Sequence, residues 1–358
     1  MTDQAVPVNG EVRMLIDGEL VEAASGRRFN NVNPATEEVL GEVADAGKDD
    51  MQRAIAASRR AFDETKWATD RALRKRCLEQ LHAAIDAERE DFRAELVAEV
   101  GAPIAITYGP QLDAPLEEGL LWPAKMIDEF PWERDLGTAT PFGMPSHRYV
   151  WKEPVGVVGS IIPWNFPFEI TLNKLGQVLA TGKRIMEKGA ATLKRVFLEL
   201  GGKSATIVLD DADFSSVLMA AGGICMHAGQ GCAIQTRLLV PRERYDEAIA
   251  LLQPVFENIP YGDPTDPSNI AGPVISEKQR ERVLGYIKKG VDEGARLVVG
   301  GGKPAHLPKG WFVEPTLFAD VDNSMTIAQE EIFGPVLVVI AHDGDDDGSA
   351  SPTTVSTA

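Results

Sequence analysis

At 358 residues, 44% of them hydrophobic, the chain has enough material for two or three domains with buried cores. Lysine plus arginine number 36 against 54 aspartate plus glutamate, and the net charge of −18 argues against nonspecific binding to nucleic acid or anionic lipid. The three cysteines, Cys77, Cys225 and Cys232, have no metal-ligand spacing and do not suggest a disulfide framework, so a reducing, cytoplasmic setting is expected. The start "MTDQAVPVNG" has neither a basic stretch nor an apolar core of a leader, and no run is long enough to cross a bilayer.

From Arg13 to Gly47, Asp-Gly and Ser-Gly steps punctuate short alternating runs, which predict hairpins and edge strands. The period then changes. Met51, Ile55, Ser58 and Phe62 fall on one helical face, and Leu73, Cys77, Leu81, Ile85, Phe92 and Leu96 continue it in a second helix, with Cys77 as a core residue. A third helix is expected near residues 115–130. "TPFGMPSHRYVWKEP" then reads as a loop feeding an extended strand.

"VGVVGSIIPW" is a continuous apolar run of strand length, as expected for a parallel strand covered on both faces, and "FEITLNKLGQVLA" is helical. After Thr181-Gly182 a second helical stretch, "KRIMEKGAATLKR", follows with no strand between, although a parallel crossover needs a strand on each side of its helix. "VFLELGG", "SATIVL", "TRLLVP", "ARLVVGG", "FVEPTLFADV" and "FGPVLVVIA" read as strands. "DDADFSSVLMAAGGICMHAG", "RERYDEAIALLQPVF" and "KQRERVLGYIKKGVDEG" read as helices. The pattern is α/β with a mostly parallel sheet. The closing "HDGDDDGSASPTTVSTA" has no apolar period and is expected to stay outside any core.

Two residues invite a chemical reading. Cys232, in "HAGQGCAIQTR", lies among small neighbours that would let a carbonyl reach both sulfur and backbone N–H groups, as a nucleophile requires; a buried core thiol is the plain alternative. Its base could be His227, five residues upstream and poorly spaced for a pair on one helix. The other candidate is Glu199, at the end of an apolar strand before Gly201-Gly202, where burial would raise a carboxylate's pKa.

"EPVGVVGSIIPWNFPFE", "LELGGKSA", "GQGCAIQTR" and "EEIFGPV", in this order, closely resemble the motifs of the NAD(P)-dependent aldehyde dehydrogenases. The resemblance covers residues 10 to 345 apart from the junction at Gly182. It implies Cys232 as nucleophile, Glu199 as general base and Asn165 as oxyanion donor. Ile162, Pro163, Trp164, Leu200 and Gly201 would lie beside NAD or NADP, Glu331 would hold its ribose, and Phe333 would pack near its nicotinamide. It further implies a small aldehyde as substrate, a Rossmann-type cofactor domain over 1–140 and 153–200, and an oligomerisation strand within 141–152. A catalytic domain would span 201–341, followed by a disordered tail over 342–358.

The chain departs from the family in two places. Between Gly182 and Lys183 it lacks several dozen residues, among them a strand ending in Lys-Pro and the Gly-Ser-Thr-x-x-Gly turn that approaches the cofactor's phosphates, so both expected domains are incomplete. At the C-terminus, codons that encode Ser351–Ala358, read one base earlier, can spell Ile-Ala-Asn-Asp-Ser-Leu-Tyr-Gly, which matches the family's continuation; the tail therefore reads as a frameshift. These departures leave three expectations open: an aldehyde dehydrogenase whose oligomer is doubtful, an inactive remnant, or a cofactor-independent thiol esterase.

Overall fold

The computed structural model describes residues 11–154, 156–181 and 200–350. The helix and strand expected between 183 and 199, the junction after Gly182, and residues 351–358 lie outside that range.

The N-terminal half begins with two hairpins, β1 (Met14–Ile16) with β2 (Glu19–Val21) and β3 (Arg28–Val32) with β4 (Val39–Ala44), both antiparallel as their turn residues suggest. Helix α1 (Lys48–Glu64) follows, started by Asp50, whose carboxylate accepts the N–H groups of Gly47 at 2.9 Å and Ala24 at 3.0 Å. The face expected to be buried is instead exposed at Met51 and Ile55; Asp50 and Ala57 are the buried positions. The expected second helix is two, α2 (Arg71–Ala87) and α3 (Arg89–Val100), broken at Glu88, which leaves the helical region at φ −111° and ψ 19°. Cys77 is half-buried. After a single turn, α4 (Ile104–Thr107), the expected third helix is also divided, into α5 (Asp113–Gly119) and α6 (Leu121–Glu129).

Strands β5 (Glu133–Ala139) and β6 (Ser146–Trp151) form an antiparallel hairpin, and α7 (Pro167–Thr181) follows. The strand expected over "VGVVGSIIPW" is not formed: residues 156–163 have no ladder. A parallel strand exists only through its neighbours, and the family's next strand is among the residues this sequence lacks. The stretch instead lines a cavity of about 510 Å³ between α1 and α7, with Phe62, Val157, Val158 and Ile162 in its wall. Among the described residues the N-terminal half therefore carries antiparallel pairs alone, and the parallel sheet lies in the C-terminal half.

That sheet uses β7 (Ala205–Ile207), α8 (Phe214–Ala221), β8 (Arg237–Pro241), α9 (Tyr245–Glu257), α10 (Glu277–Asp292), β9 (Arg296–Val299), β10 (Thr316–Ala319), α11 (Thr326–Gln329) and β11 (Val336–His342). Its strand order is β7-β8-β11-β10-β9, parallel except for β9. Alternate residues face opposite sides. Leu238, Val240, Leu317, Leu337 and Val339 pack with α8 and α9, while Leu239, Phe318, Val338 and Ile340 pack with α10 and α11. Both faces are covered, which explains why these strands read as unbroken apolar runs. Residues 342–350, expected in the tail, are ordered. His342 ends β11 and is buried, and Asp345–Ala350 forms a short helix, α12, whose Gly348 packs on Ile207 and His342. Asp347 accepts the Asp343 N–H at 2.9 Å, so the acidic run closes a turn that apolar periodicity could not reveal.

The N-terminal helices have their own core of Leu78, Leu116, Leu120, Ile127 and Leu172. A smaller cluster around Leu96, Ile106 and Leu112 reaches Phe168 on one side and Met226 and Ile275 on the other, joining the halves.

Candidate active site

Asn165 and Cys232 sit on two irregular segments that meet between the halves. The first is the loop ahead of α7, which Pro167 starts. The second is the turn from 226 to 233. Within it His227 (φ 52°), Ala228 (φ 53°) and Gly229 (φ 72°) are consecutive left-handed residues, a conformation that costs a non-glycine residue roughly 1–2 kcal/mol. The surroundings hold it there. The His227 N–H donates to Ile270 O at 2.9 Å, and the Gln230 N–H donates to His227 O at 3.2 Å. Gly229 is obligatory because a Cβ there would lie 2.1 Å from the carbonyl oxygen of Gly334. The cysteine turn and the "FGPV" segment are thus in backbone contact.

The turn delivers Cys232 to an exposed position on a cleft of about 670 Å³. Pro163, Trp164, Asn165, Leu200, Gly201, Glu331 and Phe333 line the same cleft, so residues from four separate stretches of sequence are brought together. Trp164 and Phe333 meet edge to face with ring centroids 5.3 Å apart. Glu331 Oε1 accepts the Gly202 N–H at 3.2 Å, and its carboxylate lies over Gly201, where a Cβ would come within 2.1 Å of Oε2. Asn165 is buried, and its Nδ2 donates to Gln230 O at 2.9 Å.

Ile162 lines the cavity between α1 and α7 instead of the cleft, and Glu199 lies outside the described residues. His227 is unsuited to be a base: it is 1% exposed, and burial holds its pKa down at about 4. Cys225 is the core thiol of the three, fully buried in the sheet's core with its pKa raised by burial.

The structure adds residues that the sequence did not signal. Gln279 Nε2 donates to Phe333 O at 2.9 Å, and Arg282 Nη2 to Glu331 O at 2.8 Å, so α10 fixes the loop that carries both cleft residues. Glu169, in the first turn of α7, adds a second carboxylate to the cleft wall. Lys203 is buried, its Nζ has no hydrogen-bond partner among the described residues, and burial together with Arg237 lowers its pKa to about 7. Gln279 and Arg282 have no telling spacing, because each acts through a tertiary contact.

A sequence model of the Aldehyde dehydrogenase family matches residues 20–182 and 179–350, two segments that meet at the junction noted above. The Bacillus subtilis protein DhaS is 32% identical over 409 residues, covering 95% of this chain and 80% of its own length. That span exceeds the 358 residues available here, so the relative carries interior sequence that this chain lacks. An aldehyde dehydrogenase of Mycobacterium tuberculosis, solved as a complex with NAD+, is 34% identical with a TM-score of 0.88 and covers 96% of this chain and 83% of its own. The NAD+ complex of an aldehyde dehydrogenase from Bacillus cereus is 31% identical with a TM-score of 0.90, covering 98% and 83%.

Proposed function

Because the chain belongs to the aldehyde dehydrogenase family, we propose that Cys232, Asn165 and Glu199 carry out an NAD+-dependent oxidation of an aldehyde to a carboxylic acid. The observation that carries this reading is the single cleft uniting Cys232, Asn165, Trp164, Glu331 and Phe333. Its assembly despite the shortened interior weighs against an inactive remnant, and no feature of the cleft favours the esterase.

The residues present fit the nicotinamide end of the cofactor. Trp164 and Phe333 offer aromatic walls, and Glu331, braced by Gly202, offers a carboxylate to ribose hydroxyls. When bound, NAD+ supplies the hydride acceptor. The Cys232 sulfur adds to the aldehyde carbon, and the carbonyl π pair moves to oxygen. The second Asn165 amide N–H and the Cys232 main-chain N–H stabilise the oxyanion that develops. Re-formation of the carbonyl expels the hydride and leaves a thioester on Cys232. Glu199 then takes a proton from water as the water attacks the acyl carbon, and the thiolate leaves as the acid is released. An aldehyde has no leaving group until sulfur adds; the thiol creates the tetrahedral centre from which hydride can depart.

We place the cofactor domain at 1–140 and 153–200 and the catalytic domain at 201–341. Among the described residues no helix is long and apolar enough to cross a membrane, and a reducing cytoplasm suits the thiol chemistry. The β5–β6 hairpin stacks His147, Tyr149 and Trp151 in one row, with Trp151 64% exposed, which supports its use between copies of the chain.

Mixing the purified chain with a series of aldehydes and NAD+ should give reduced nicotinamide, and NAD+ alone should raise the unfolding temperature. Neither effect occurring would refute the reading. Gly201→Ala adds a methyl group where Glu331 now lies. The carboxylate must swing away, and NAD+ affinity is expected to fall about tenfold with the unfolding temperature of the ligand-free protein nearly unchanged. Calorimetric titration of the parent and variant checks this.

A further inference from the structure

His227 makes one side-chain hydrogen bond among the described residues, and it crosses from the cysteine turn to the loop that holds Asn165. Its Nε2 lies 3.0 Å from the main-chain carbonyl oxygen of Asn165. A carbonyl can only accept, so Nε2 carries the hydrogen and Nδ1 is the bare nitrogen, buried with no partner among the described residues. Phe166 holds the ring edge to face, with centroids 5.4 Å apart. Gln111 Nε2 donates to the same carbonyl at 2.8 Å. A third bond runs the opposite way, from Asn165 Nδ2 to the carbonyl of Gln230, two residues before Cys232.

Gln230 is itself fixed. Its Nε2 donates to His227 O at 3.0 Å, and its Oε1 accepts the Ile275 N–H at 2.9 Å. Asn165 is therefore gripped at both ends, by two donors on its main-chain carbonyl and by one acceptor on its side-chain amide. The loop around it has no ladder of its own, so these bonds are what set the peptide plane at 165 against the cysteine turn.

We infer that His227 and Gln111 are positioning residues that clamp the Asn165 carbonyl and so fix where the remaining amide N–H of Asn165 points relative to Cys232. The inference rests on the role proposed above for Asn165. Neither residue lines the cleft. An oxyanion donor works only when it is aimed before the charge develops, and a donor free to turn loses much of its effect.

The test compares His227→Leu, which removes the donor, with His227→Gln, which keeps an N–H at similar reach. Solvent exchange of the Asn165 side-chain N–H, followed by NMR, should be about tenfold faster in His227→Leu and close to the parent in His227→Gln. In the same variants kcat should fall about tenfold for Leu and recover for Gln, with the aldehyde KM and the rate of Cys232 alkylation by iodoacetamide within about twofold of the parent. Unchanged exchange in His227→Leu, or a Gln variant as impaired as the Leu one, would overturn the clamp. Should His227→Leu fail to fold, Gln111→Leu frees the same carbonyl and is measured in its place. A parent that oxidises no aldehyde would sink the dehydrogenase reading, while the exchange measurement still decides the clamp.

Discussion

Replacing Cys232 with alanine is expected to lower aldehyde oxidation by at least about 1,000-fold while leaving the fold and NAD+ binding intact. The side chain is exposed and belongs to neither core, so its loss opens no cavity. What disappears is the atom that converts a planar carbonyl into a tetrahedral centre able to release hydride. The remaining groups, an amide and a carboxylate, can stabilise an oxyanion or deprotonate water but cannot form the thioester. Cys232→Ser should be almost as damaged, because a hydroxyl is a far weaker nucleophile than a thiolate near neutral pH. Steady-state rates, with NAD+ binding followed by the rise in unfolding temperature, separate the outcomes. A variant that retains even a tenth of the parent rate would remove Cys232 from the reaction.

Lys203→Met is expected to stabilise the protein near pH 7, by up to about 4 kcal/mol on the linkage relation. Burial, reinforced by the Arg237 guanidinium, lowers the lysine from its ordinary 10.5 to about 7, and among the described residues no acceptor compensates its Nζ. With the pKa depressed on folding, the unfolded chain binds more protons between about pH 7 and 10.5. Stability of the parent must therefore rise with pH across that window, and below about pH 7 the full penalty applies. Methionine fills the same space without a charge, so the variant should be more stable at pH 6–7 and should lose that slope. Urea unfolding at pH 6, 7, 8 and 9 reads both effects. A less stable variant at pH 7 would mean that attraction to Glu331, the opposing influence on this lysine, outweighs desolvation.

Much of the architecture was legible because both faces of the C-terminal sheet are covered. The runs "TRLLVP" and "FGPVLVVIA" contain few polar residues for that reason, and they became β8 and β11. The same argument failed at "VGVVGSIIPW". Its apolar character suits a central strand, but a ladder is a property of pairs of segments and the neighbour is missing. Met51 and Ile55 misled similarly, since helical spacing shows that residues share a face without showing that anything covers it. At the site, the motifs singled out Cys232, Asn165, Glu331 and Phe333, which line one cleft, because each lies within a short, distinctive string. Gln111, Gln279 and Lys203 were silent. Their roles depend on contacts with residues 54 or more positions away, or on burial that one residue's identity does not reveal. His227 was rightly doubted as a base, but its positioning contact was not visible, because distance along the chain cannot say whether an imidazole meets a sulfur or a carbonyl.

The two helical and sheet cores have a further consequence. Asn165 leads into α7, which packs in the first core, and the Cys232 turn lies beside the second. The groups that must converge on one substrate atom thus come from different bodies, joined by the bonds of His227 and Gln230 to Asn165. Catalytic competence is then set at the seam. Substitutions deep inside either body can weaken it without altering the rate per folded molecule, whereas a small slip across the boundary would silence the chemistry in a protein that still melts like the parent.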